Sequence, residues 1–190
     1  MGEGKITALL LYLHKKKMNK TIITYGILSG GIMVISLTSL SYLGIQSNNM
    51  TIQEIIGFAT MILAMSFVFI GVRAVKRQNL GESFTFWSAL KTGLLIALIS
   101  SVMYVVAWMI ISYLFFPDFM EKYAECRIEN LKSEGATTEK INDLTKEMNQ
   151  MKEDYKNPFY RIGITFMEIF PVGLLAALIS AAILRTRKSA

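Results

Sequence analysis

Four long apolar runs, separated by two short polar stretches and one long one, set the pattern of this chain. Crossing the hydrocarbon core of a bilayer takes roughly 20 residues of helix. The runs predict transmembrane helices over about residues 21–45, 54–75, 88–116 and 159–184. Small residues recur along each run at helical spacing. Gly26 and Gly30 form a GxxxG in the first, and Gly57, Ala64 and Gly71 recur every seven residues in the second. Gly93, Ala97 and Ser101 in the third, and Gly173, Ala177 and Ala181 in the fourth, form small-xxx-small rows. Small side chains let helix backbones approach closely in lipid, so these rows are the expected packing faces. For Gly26 and Gly30 the expectation is packing within the chain, with homodimerisation as the alternative.

The long polar stretch between Pro117 and Pro158 has its own period. Ile141, Leu144, Met148, Met151 and Tyr155 alternate in steps of three and four, an a/d seam. Met120, Tyr123, Ala124, Ile128 and Leu131 give a looser stripe before it. Gly135 suits a helix C-terminus, and Thr137 or Thr138 an N-terminus. Asn157 and Pro158 then open the last run, as N-cap and first helical residue. The segment 118–157 therefore predicts an antiparallel hairpin of two helices, roughly 16 and 18 residues long. The competing reading is a solvated charged loop, and the period argues against it. The expected fold is an all-α membrane protein: four transmembrane helices with a helical hairpin between the third and fourth.

Charge sets the expected orientation. The chain has 190 residues, 53% hydrophobic and 18% charged, with mean hydropathy +0.42 and a formal net charge of +6. Between the two prolines, ten carboxylates against seven cations leave −3, so the basic excess lies elsewhere. It falls in three clusters: Lys15, Lys16, Lys17 and Lys20 before the first run, Arg73, Lys76 and Arg77 after the second, and Arg185, Arg187 and Lys188 after the fourth. The positive-inside rule sends all three to the cytoplasm, and leaves the neutral 46–53 loop and the acidic hairpin outside. Both termini are then expected in the cytoplasm, and this rule, not nucleic-acid binding, accounts for the basic balance. Phe84, Phe86 and Trp87 read as an aromatic belt at the inner interface, Ser83 as a helix cap and Lys91 as a snorkelling cation. Residues 1–20 read as a cytoplasmic extension before a membrane domain over 21–188. The apolar run at 6–13 is too short to span, so the extension is expected to be loose or an interfacial amphipathic helix.

Candidate chemistry is sparse. Glu168 is the one acid inside a run, roughly 15 Å along the helix from Pro158. A carboxylate in lipid is costly, needs a partner or a proton, and marks a functional candidate by default. Arg161 lies two turns away on the same face, and Tyr104, Ser36, Thr38 and Thr60 lie at similar depth. Pro171 leaves the carbonyl of Met167 without its helical donor. Glu168, Arg161, Tyr104 and Pro171 are thus the candidate polar site, expected to line a small cavity. The competing expectation is a neutral, hydrogen-bonded Glu168 that locks the bundle. One histidine, His14, and one cysteine, Cys126, give no metal cluster, no Cys–His or Ser–His–Asp arrangement and no intramolecular disulfide. No catalytic residue, metal or cofactor is expected.

Three stretches carry a family resemblance: residues 115–123 (FFPDFMEKY), 155–158 (YKNP) and 166–175 (FMEIFPVGLL). With them the chain, from about Met18 to Lys188, resembles the bacterial membrane-protein family catalogued as domain of unknown function 4199. The resemblance implies a four-span protein of the cytoplasmic membrane and brings no activity or substrate. Two functions are expected to compete. One is a non-enzymatic scaffold or accessory subunit that docks an extracytoplasmic partner or a second copy through the hairpin. The other is an oligomeric proton- or cation-linked transporter or channel component using Glu168.

Overall fold

The computed structural model describes residues 3–42, 50–78 and 83–186, with side chains over 16–39, 55–78 and 83–186. Expectations that fall on the loop at 43–49, on the side chains of His14 and Lys15, and on Arg187 and Lys188 lie outside the described residues. The described residues form six helices and no strand: α1 (Glu3–Tyr42), α2 (Met50–Gln78), α3 (Phe86–Phe115), α4 (Phe119–Ser133), α5 (Thr138–Tyr155) and α6 (Pro158–Leu184). Four of them are long and apolar enough to cross a membrane, over Lys16–Ser39, Ile55–Gln78, Phe86–Phe115 and Pro158–Leu184.

These four helices pack as a bundle. α3 makes its largest contact with α6, α1 lies against both α3 and α2, and α2 closes on α6 while also touching α3 across the diagonal. In lipid there is no hydrophobic drive between helices, so close approach and interhelical hydrogen bonds hold such a bundle. Both are present. Ser29 Oγ donates to the carbonyl of Ala64 at 2.8 Å, tying α1 to α2, and Ser100 Oγ donates to the carbonyl of Gly26 at 3.1 Å, tying α3 to α1. Ser36 Oγ reaches Thr60 Oγ1 at 3.2 Å. Among the described residues, every exposed large apolar side chain lies on α1, α2, α3 or α6, and none on α4 or α5. A surface so divided fits lipid around the bundle and water around the α4–α5 pair.

Three local expectations change. α1 is one unbroken helix from Glu3, so the residues before Lys20 are helical and run directly into the first span, which begins at Lys16, instead of forming a loose segment. The cap of α3 is Thr85, whose hydroxyl accepts from Ser88 N at 3.2 Å, not Ser83. Phe84 is 1% exposed, so it belongs to the core and not to an aromatic belt; Trp87 is exposed and meets Phe86 edge-on at 5.6 Å. Phe84 is held by its backbone: Thr186 N donates to its carbonyl at 2.8 Å, and its own N–H donates to Thr186 Oγ1 at 3.3 Å. That pair ties the entry of α3 to the exit of α6.

α4 and α5 are joined by a Schellman turn. Gly135 has φ +73, Gly135 N donates to Lys132 O at 3.0 Å, and Ala136 N donates to Leu131 O at 3.3 Å. Thr137 caps α5 by accepting from Lys140 N. The two helices pack on each other, burying Met120 and Ala124 on α4 and Met148 and Tyr155 on α5. Asn157 caps α6 by accepting from Phe159 N at 2.9 Å, with Pro158 in its first turn.

Candidate functional site

Where α5 meets the bundle, three helix ends converge on Tyr155. It is the last residue of α5, so its carbonyl is one of the four left without a helical donor. Arg161, one turn into α6, fills that gap: its Nε and Nη2 donate to Tyr155 O at 3.3 and 3.2 Å. The same guanidinium lies 4.7 Å from the centre of the Tyr155 ring, a cation–π contact. From α3, Trp108 Nε1 donates to Tyr155 Oη at 2.9 Å. A buried indole N–H needs an acceptor, and here the phenol supplies it.

Aromatic rings surround this knot. Trp108 meets Phe119 edge-on at 4.9 Å and stacks on Phe116 at 6.4 Å. Phe119 also lies 6.1 Å from Tyr155 and 6.0 Å from Tyr123. Burial pushes the Tyr155 phenol up from its ordinary pKa; the Trp108 hydrogen bond and the Arg161 charge oppose that push, and Glu168 adds to it. Glu168 also acts electrostatically on Tyr104, which sits one turn from Trp108 on α3. The carboxyl of α6 thus lies near two tyrosines, one on α3 and one on α5.

Of the four residues expected to form a polar site, Glu168 and Tyr104 come together. Arg161 goes to Tyr155. Glu168, Met167 and Pro171 all fall on the exposed face of α6, which continues unbroken through Pro171 to Leu184. Glu168 is thus exposed on α6 while its charge acts on Tyr104 of α3 and Tyr155 of α5. An isolated span offers no inward direction in sequence; the side of α6 that faces α3 is decided by the small residues opposite.

Those small residues meet in pairs. A Cβ added at Gly93 would stand 2.8 Å from Ala177 Cβ, and one at Gly173 2.7 Å from Ala97 Cβ, so the α3 and α6 rows face each other. Ala181 and Ser101 are fully buried in the same rows. Gly26 faces Ile99, Gly30 faces Met103 and Ser100, and Gly71 faces Ile96 and Tyr25. Ala64 is buried, but Gly57 is exposed with nothing within 4 Å, so the α2 row has two packed members instead of three. Sequence reasoning missed Trp108, Phe119 and Ser100. Trp108 had a signal: it lies four residues from Tyr104, and aromatic residues crowd around Pro117.

A bundle of four apolar helices with a polar helix pair fixed on one end defines a multi-pass helical membrane protein. More narrowly, the chain belongs to the family described as "Protein of unknown function (DUF4199)", whose model matches residues 24–186. That range takes in α4, α5 and the Tyr155 knot. No match was found among the curated proteins or among the solved structures.

Proposed function

We propose that this protein is a non-enzymatic scaffold or accessory subunit of the bacterial cytoplasmic membrane, presenting α4 and α5 as a stiff extracytoplasmic antiparallel hairpin. The observation that carries this reading is the attachment of the α4–α5 pair. It turns its apolar stripe onto itself and onto the bundle end, exposes no large apolar side chain, and is bound to α3 by Trp108 and to α6 by Arg161. An arm of about 25 Å that is anchored at its base and charged along its outside suits holding a partner at a set distance from the membrane. The asymmetry of charge supports the orientation, with the basic clusters on the side opposite the arm.

Pulldown of tagged full-length protein, solubilised in mild detergent, tests the reading. Co-purification of a stable extracytoplasmic or membrane partner is expected, and its loss when Trp108→Ala loosens the arm. Recovery of the chain alone, together with proton or cation flux in liposomes, would replace this reading with the transporter. The exposure of Glu168 on α6 supports that second reading only for an oligomer, in which α6 faces another subunit.

A further inference from the structure

The end of the bundle opposite the α4–α5 arm holds two adjoining grooves along α1. One, of about 390 Å³, lies between α1 and α2 and is lined by Lys17, Lys20, Thr24, Tyr25, Ala74 and Gln78 among others. The second, an open hollow of about 680 Å³ along the flank of α1 alone, shares Lys17, Lys20 and Thr24 and adds Lys16, Asn19 and Ile23. Lys16, Lys17 and Lys20 are exposed, and among the described residues no acid lines either groove. Because α1 runs unbroken through this region, the lysines stand on a rigid helix at the start of its membrane span and not on a loose tail. Their register against α2 is held by Gln78, whose Nε2 donates to Thr21 Oγ1 at 2.9 Å.

The walls change character along the helix axis. Lys16, Lys17 and Lys20 come first, and the next turn into the span sets the hydroxyls of Thr21 and Thr24 among the apolar Ile23, Tyr25 and Ala74. A phospholipid has the same order: anionic phosphate first, polar esters and acyl chains after it. A free phosphate would use only the mouth and leave the apolar walls without an occupant. We infer that these grooves bind an anionic phospholipid, its phosphate held by Lys16, Lys17 and Lys20 and its acyl chains lying along Ile23, Tyr25 and Ala74. The site goes beyond the scaffold reading and would lie at the inner interface, where anionic headgroups meet basic residues.

Native mass spectrometry of the full chain in detergent, titrated with phosphatidylglycerol, tests the site. Near an anionic surface each basic side chain adds about fivefold in affinity, so neutralising three should cost roughly a hundredfold. The triple variant Lys16→Gln, Lys17→Gln, Lys20→Gln is expected to lose phosphatidylglycerol adducts by at least about tenfold, while the corresponding Arg triple keeps them. Arg73→Gln with Arg77→Gln, on the same end but outside both grooves, is expected to bind within about twofold of wild type. Equal retention of phosphatidylcholine, or displacement by millimolar inorganic phosphate, would overturn the proposal in favour of a non-selective apolar groove or a free-anion site. An equal loss in the Arg73, Arg77 variant would overturn it in favour of diffuse surface charge. If the Gln triple fails to fold, the Arg triple and the Arg73, Arg77 pair still separate these outcomes.

Discussion

Tyr155 joins three helices through two ends of one residue: its carbonyl takes the Arg161 guanidinium, and its hydroxyl takes the Trp108 indole. A residue so placed leaves a trace in the pH dependence of stability. Its phenol titrates above the ordinary 10.0, with burial as the main cause. The unfolded chain therefore gives up this proton first as the medium becomes alkaline. The contribution is complete below about pH 10 and is lost as pH rises through the raised folded value. Melting temperature in detergent, followed from pH 9 to pH 11.5, is expected to fall more steeply for wild type than for Tyr155→Phe. Below pH 9 the variant should melt lower, by about 1 kcal/mol of lost hydrogen bond and unpaired indole N–H. Parallel curves would remove Tyr155 as the alkaline-sensitive group.

Glu168 sits at the same scale with a different character. It is exposed on α6 yet within electrostatic reach of Tyr104 and Tyr155. Glu168→Gln keeps size and a hydrogen-bond donor, and the scaffold reading expects an almost unchanged melting temperature and unchanged partner capture. Glu168→Leu is expected to cost on the order of 0.6 kcal/mol, the mean for hydrogen bonds between membrane helices. Partner capture intact and ion flux abolished in the Gln variant would instead assign the carboxyl to transport.

Among the elements, the α3–α6 contact depends most on side-chain volume. At Gly93 an added methyl would meet Ala177 Cβ at 2.8 Å and its Cα at 3.0 Å, so backbone must move. Gly93→Ala is expected to destabilise by about 1–3 kcal/mol, the usual cost of overpacking. Gly57→Ala, on the open face of α2, meets nothing and should be neutral or stabilising by up to about 1 kcal/mol through helix propensity. Unfolding of the two variants in a mixed-detergent titration, measured beside wild type, checks both signs at once. A Gly93→Ala variant as stable as wild type would mean that α3 and α6 pack less closely than described. Both residues look alike in sequence, as glycines in regularly spaced small-residue rows; what separates them is which rows find a partner helix.

For the whole molecule, orientation is the first thing to measure. Cys126 is the chain's only cysteine; it is half-buried on α4 and accepts weakly from Asn130 Nδ2 at 3.7 Å. With the arm outside, a small membrane-impermeant maleimide is expected to label Cys126 once any outer membrane is permeabilised. A cysteine introduced at Arg77, in a Cys126→Ser background, should stay unlabelled until the inner membrane is opened. The reverse pattern would invert the topology and move the lysine grooves to the outer leaflet.

The number of spans, the two helices of the arm and the caps at Gly135 and Asn157 were determined by sequence alone, because each follows from local properties: run length against bilayer thickness, a repeat of three and four, and a backbone preference at one residue; between Thr137 and Thr138 the structure chose Thr137. The small-residue rows were legible in the same way, as faces. Which face meets which helix was not, since that depends on four helices choosing neighbours together. So it took the tertiary structure to set Gly93 against Ala177 and leave Gly57 open. It also brought Glu168 within electrostatic reach of Tyr104 and Tyr155 and drew Arg161 away to the carbonyl at the end of α5. A titratable side chain's role rests on neighbours distant in sequence, and only the folded bundle brings Trp108, Tyr155 and Arg161 to one point.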